Sequence, residues 1–119
     1  MTFNAGVNEG NTSMIITIFR SRLRPEHVAE YSEVATRIHA LAETMPGFLG
    51  IKSYVAEDGE RVSIVEFADQ AAHDAWRDQA DHRKAQQLGR EKFYSEYQIQ
   101  VCTRTHATAF QMGADGRCA

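Results

Sequence analysis

The chain has 119 residues, 43% of them hydrophobic, a formal net charge of −3 and a pI near 5.9. That is the size of one domain with enough apolar content for a single modest core. No apolar run reaches the roughly 18 residues of a membrane-crossing helix, and no basic stripe offers the footprint of a nucleic-acid binder, so neither partner is expected.

Residues 1–13 are rich in Asn, Gly and Thr and lack the basic start and apolar middle of a signal peptide. They read as a disordered lead-in, and the expected location is the cytoplasm. The next run, Met14 to Leu23, is β-branched and aromatic, as a strand requires, and its first half is apolar on both faces. Arg20, Arg22 and Arg24 alternate along its end, which points to a solvated or salt-bridged face, with attraction of an anionic substrate as the alternative.

Pro25 and Glu26 suit the first turn of a helix over residues 25–44. Val28, Tyr31, Ala35, Ile38, Leu41, Ala42 and Met45 recur on one side of it, and Pro46-Gly47 ends it. Two strands follow, over 47–56 and 61–68, with Asp58-Gly59 in the intervening turn as a hairpin signal. Asp69 is a good N-cap for a second helix carrying Ala72, Ala75 and Trp76. Gln79-Ala80-Asp81 marks a break, with Asp81 placed to cap a further helical piece running from His82 to Phe93. The last strand is expected over 96–107, with Tyr97, Ile99, Val101 and Thr103 on one face and Gln98, Gln100, Cys102 and Arg104 on the other. Residues 109–119 read as a flexible tail.

Strand, helix, strand, strand, helix, strand over residues 14–108 is the ferredoxin-like β-α-β-β-α-β order of an α+β sandwich. Both helices then cover one face of a four-stranded sheet. The strands are nevertheless apolar on both faces: Ile15 and Ile16, Leu49 and Ile51 against Phe48 and Tyr54, Val65 and Phe67 against Val62 and Ile64. An uncovered apolar face of that extent is an association surface, and a two-fold related second copy is its simplest closed solution. A homodimer with a barrel-like centre is therefore expected.

Cys102 and Cys118 form neither a disulfide framework nor a zinc spacing, and Cys102 reads as a small packing residue. His27, His39 and His106 show no ligand spacing, and no paired-histidine metal motif occurs, so no metal is expected. A lone Trp on an amphipathic helix is ordinarily core, a His at a helix start is ordinarily surface, and His73 reads as an exposed turn residue. Tyr94 and Tyr97 suit a pocket or an interface equally well.

Over residues 14–108 the chain resembles the antibiotic biosynthesis monooxygenase family, dimeric α/β barrels. The resemblance rests on Met45-Pro46-Gly47-Phe48 at the helix-to-strand joint, and on Phe67, Trp76, His82, Gln86, Gly89 and Tyr94 in and around the second helical region. Members oxidise quinols or polycyclic phenols with O₂, in several cases without metal or flavin, and others degrade haem. The resemblance implies a small aromatic substrate and O₂ as partners and no cofactor. It makes His82 a general base, Trp76 an aromatic wall and Arg90 a stabiliser of developing charge, with Phe67, His73, Gln86 and Tyr94 lining the substrate pocket. The haem-degrading branch, the alternative, carries an Asn in the first strand and a haem-ligating His about ten residues after the Trp. Here Phe19 or Arg20 and Gln86 stand at those places. Retention of the fold for ligand binding alone is a third reading, because fold does not assign activity.

Overall fold

A computed structural model describes residues 13–113. The expectations for residues 1–12 and 114–119, Cys118 included, lie outside the described residues. The elements are β1 (Ile15–Leu23), a 3₁₀ turn (Pro25–His27), α1 (Val28–Ala42), β2 (Phe48–Val55), β3 (Arg61–Phe67), α2 (Gln70–Asp78), α3 (Ala80–Leu88), a π-helical turn (Gly89–Phe93) and β4 (Tyr94–Thr103). The strands form one antiparallel sheet in the order β2-β3-β1-β4, so the α+β ferredoxin-like fold holds. The last strand starts at Tyr94 rather than at residue 96, because the π turn ends there, and it stops at Thr103 rather than 107. Beyond it the Arg104 N–H still donates to the Met14 carbonyl at 3.0 Å, while Phe110 and Met112 stand exposed.

Period-two geometry and the register assign every strand residue to a face. Ile15 pairs with Phe67, Thr17 with Val65, and Ile51 with Val65, so these five share the face under the helices. The core sits there: Ile15, Ala42, Phe67 and Trp76 are buried together, with Ile38, Leu41, Met45, Phe48, Val65 and Ala72 packed around them. Ile16, Ile18, Ile64, Val62 and Tyr54 lie on the opposite face, which no element among the described residues covers.

A register shift between Phe48 and Gly50 corrects one expectation. It is a bulge, and it leaves Leu49 out of the alternation and 55% exposed. Phe48 therefore shares the helix face with Ile51, edge-on to Phe67 at 6.0 Å, instead of facing the same way as Tyr54. Cys102 is exposed rather than packed, since β4 is the edge strand and no element among the described residues covers its open face. The arginine reading holds for two of three: Arg20 pairs with Glu60 and Arg22 with Asp58, both across the sheet end.

Gly47 joins α1 to β2 with φ +81°, a conformation that disfavours any side chain. A Cβ there would stand 2.5 Å from the Ala72 Cβ, and the Gly47 carbonyl accepts from Ala68 N–H at 2.8 Å. The joint is thereby pressed against α2, which fixes where Trp76 enters the core.

Candidate active site

Asp69 caps α2 as expected, its carboxylate accepting from Ala72 N–H at 2.8 Å. The helix breaks at Gln79, whose ψ of 132° is extended. Gln79, not Asp81, caps the next piece: its side-chain oxygen accepts from His82 N–H at 2.9 Å, while its own N–H donates to the Trp76 carbonyl. The kink folds His82 back over Trp76. The two rings stack with centroids 3.9 Å apart and planes 11° from parallel.

His82 Nδ1 lies 2.9 Å from the Trp76 carbonyl oxygen. A carbonyl can only accept, so Nδ1 carries the hydrogen and the neutral ring keeps its lone pair on Nε2. The Gln86 amide nitrogen approaches the same Nδ1 at 3.4 Å, which is contact rather than a bond once Nδ1 is a donor. Burial pushes the His82 pKa down and the bond to Trp76 pulls it up; burial wins. The ring is thus held neutral, in one tautomer, with a free basic nitrogen.

Trp76 is itself 7% exposed and belongs to the core. Beneath it lie Phe67 and, against the Phe67 ring edge at 5.6 Å, His73. His73 is buried rather than exposed, because the inward face of α2 carries it onto Phe67. Its Nδ1 is 2.8 Å from the Asp74 carboxylate, which also accepts from Gln70. That His73 contact, then the Gln70 bond, hold the Asp74 pKa below the usual carboxylate value. Trp76, His82 and Gln86 therefore form one group, joined through Trp76 to the Phe67–His73 pair. Arg90 is not in it: the residue is exposed, and its backbone carbonyl accepts from the Arg24 guanidinium.

Tyr94 belongs to a second group. The π turn closes with Tyr94 N–H donating to the Gly89 carbonyl, a geometry that recurs at functional sites. The Tyr94 ring lies directly on Gly89, where a Cβ would fall 2.6 Å from its edge. Phe19 and Tyr31 meet the ring edge-on, and Tyr97 closes the cluster. Arg61 lies over the Tyr31 face at 5.6 Å. Burial, then the Tyr31 phenol, push the Tyr94 pKa well above the ordinary phenol value. The turn itself is clamped by Arg24, which donates to the carbonyls of Tyr94, Glu91 and Arg90.

Between the groups runs β1, whose inward row is Ile15, Thr17, Phe19, Ser21 and Leu23. The Thr17 hydroxyl is buried and has no hydrogen-bond partner among the described residues. The sequence reading passed over Thr17, Ser21 and Arg61. Its available signal was a polar residue at every second place in an apolar inward row. A groove of about 380 Å³ opens separately between α1 and α3, lined by Val34, Arg37, Ile38, Leu41, Asp81, Lys84, Ala85 and Leu88. None of the residues expected to form the pocket lines it. Among the described residues no cluster of three His, Cys, Asp or Glu side chains is placed to hold a metal ion, and no helix is long and apolar enough to cross a membrane.

Comparison with known proteins agrees with this architecture. A protein of Bacillus subtilis (strain 168), YqjZ, is 31% identical over 91 residues, covering 76% of this chain and 80% of its own length. The fold is shared with Rv0793 from Mycobacterium tuberculosis, at a TM-score of 0.72, 16% identity and coverage of 82% of this chain and 100% of that one. It is also shared with SnoaB, a cofactor-independent oxygenase from Streptomyces nogalater, at a TM-score of 0.68 and 18% identity, over 80% of this chain and 96% of that one. The sequence profile described as "Antibiotic biosynthesis monooxygenase" matches residues 14–88, from the start of β1 to the end of α3. With the fold, the Trp76–His82 stack and that match in hand, the chain belongs to the antibiotic biosynthesis monooxygenase family.

Proposed function

We propose that this protein is a small monooxygenase that oxidises a quinol or polycyclic phenol with O₂ and uses neither metal nor flavin. The observation that carries the reading is His82, a neutral imidazole whose Nδ1–H is spent on the Trp76 carbonyl and whose Nε2 is left to accept a proton. A phenol reduces O₂ far more readily as its anion, so the reaction needs a general base near neutrality. His82 takes the phenolic proton. The anion passes an electron to O₂, and the two radicals combine to form a carbon–oxygen bond at the ring carbon opposite the phenolate. The peroxide anion takes the proton back from His82, and the hydroperoxide then loses water together with the hydrogen of that ring carbon, so one oxygen atom stays as a quinone carbonyl and the other leaves as H₂O. No external reductant is consumed. Trp76 keeps His82 in register by stacking, and the buried surroundings exclude water from the anion. Gln86, Phe67 and His73 are the proposed pocket residues, with Tyr94 left to the second group across β1; the exposure of Arg90 argues for a place at the rim.

Oxygen uptake with a panel of quinols and polycyclic phenols tests this reading. On a confirmed substrate His82→Ala should cut turnover by about 10²–10⁴-fold. Full turnover in that variant would remove His82 from the mechanism. The same tautomer would also leave Nε2 able to hold a haem iron, so a hemin titration is run beside it. A Soret shift in the wild type that His82→Ala abolishes would favour the haem reading.

We propose further that the molecule works as a homodimer through the open sheet face. Ile16, Ile18, Val62 and Ile64 form an apolar band there, with Tyr54 beside it 50% exposed. Sedimentation of the wild type at twice the chain mass, and of Ile64→Lys at the chain mass, is the expected result. A wild-type monomer overturns it.

A further inference from the structure

Four arginines gather at the end of the sheet where β1 leaves it. Three have their donors engaged: Arg20 holds Glu60 through two bonds, Arg22 holds Asp58, and Arg24 holds three backbone carbonyls. Arg61 differs. It sits on the helix-covered face, opposite Ser21 on β1 and Val55 on β2, and is partly buried. No carboxylate or other acceptor engages its guanidinium among the described residues; it lies over the face of Tyr31 at 5.6 Å. The nearest acid in sequence to that tyrosine, Glu30, is taken by Lys92 at 2.7 Å. A partly exposed guanidinium with no acceptor from the protein leaves its fork of donors to water or to an incoming ligand.

The surroundings say what kind of acceptor. Phe19, Tyr31, Tyr94 and Tyr97 form a set of edge-to-face and tilted rings with centroids 5.3–5.9 Å apart, an aromatic cluster beside Arg61. Ser21 adds a hydroxyl from a residue only 3% exposed, directly across from Arg61 and Tyr97. Tyr97 at 38% and Val55 at 61% exposure leave an approach from solvent. A planar guanidinium matches a carboxylate with two parallel bonds, and rings beside it take a flat hydrocarbon.

We propose that Arg61, with Tyr31, Tyr94, Tyr97 and Ser21, is a binding site for aromatic carboxylates. The carboxylate pairs with Arg61, and the ring lies against the solvent-facing side of the tyrosine cluster, at Tyr97. This site stands apart from the His82 group and does not depend on the oxygenase reading.

The test is equilibrium binding of 2-naphthoate to the full chain under nitrogen, by calorimetry, with the uncharged naphthalene-2-carboxamide as comparison. Wild type should bind the acid at least about tenfold more tightly than the amide. Arg61→Gln should lose that preference and leave amide binding unchanged. If Arg61→Gln does not fold, Tyr94→Phe, which keeps the ring, should weaken the acid severalfold with the amide less affected. Equal affinity for acid and amide in the wild type, no binding of either, or an undiminished preference in a folded Arg61→Gln each overturns the proposal. Because no oxygen is present, absence of turnover elsewhere leaves this result intact.

Discussion

The contact between Gly89 and Tyr94 makes a prediction whose sign depends on its neighbour. Gly89 has φ −59° and ψ −47°, ordinary right-handed helix, so an added methyl meets no backbone strain. On helix propensity alone Gly89→Ala should stabilise by about 1 kcal/mol. The new Cβ would, however, fall 2.6 and 2.9 Å from two carbons of the Tyr94 ring, and that ring is held by Phe19 and Tyr31. Overpacking of this kind costs about 1–3 kcal/mol, so the net change in the native background is about 0–2 kcal/mol of destabilisation. Removing the ring with Tyr94→Val keeps a strand-favouring residue and opens the space. In that background Gly89→Ala should stabilise by the full propensity term, giving a coupling of about 1–3 kcal/mol between the two sites. Urea unfolding at fixed protein concentration, followed by the single tryptophan, reads all four proteins, with m required to stay constant. Equal stabilisation by Gly89→Ala in both backgrounds would show that the ring does not rest on Gly89, and the packing of the π turn would need another account.

Trp76→Ala should cost about 3–5 kcal/mol, because it empties the centre of the buried cluster, and Trp76→Phe should cost less; thermal melts of the two variants check the order. His82 has a folded pKa below its ordinary value of 6.5, so the unfolded chain binds more protons as pH falls from there. Its contribution is fully present above pH 6.5 and is lost on acidification through the folded pKa. Denaturation midpoints of His82→Gln should therefore fall less steeply than wild type below pH 6.5, and parallel curves would refute this. Arg24→Met should cost about 1–3 kcal/mol and speed amide hydrogen exchange at the start of β4, since three carbonyls lose a charged donor.

Much of the fold was legible because it rests on local rules. The strand runs, the Asp69 cap and the break near Gln79 all follow from residues within a few positions of one another. What escaped depends on partners far along the chain. The bulge at Leu49 reverses Phe48, and no feature of β2 alone announces it. His73 looked exposed because the burial of a short helix depends on which strand lies beneath it. Gln79 displaced Asp81 as the cap because its longer amide reaches back to His82 N–H, a choice decided by geometry rather than residue preference. At the site, Trp76 and His82 were visible as a pair six residues apart, but the tautomer that gives His82 a free Nε2 is set by a backbone carbonyl. Arg61 was invisible for a related reason. A cation beside a hairpin reads as solvated until the register turns it inward, onto Tyr31.

The π turn at Gly89–Phe93 has a consequence for how this chain tolerates length changes. A helix advances 100° per residue and a strand alternates every residue, so the turn between them sets the phase of everything downstream. Deleting one residue here, Lys92 for example, would relax the wide turn to an ordinary one. β4 would then enter the sheet out of step, carrying Gln98, Gln100 and Cys102 toward the helices and turning Tyr97, Ile99 and Val101 outward. One codon thus separates two different surfaces on the same backbone, and length in this segment is constrained more tightly than residue identity.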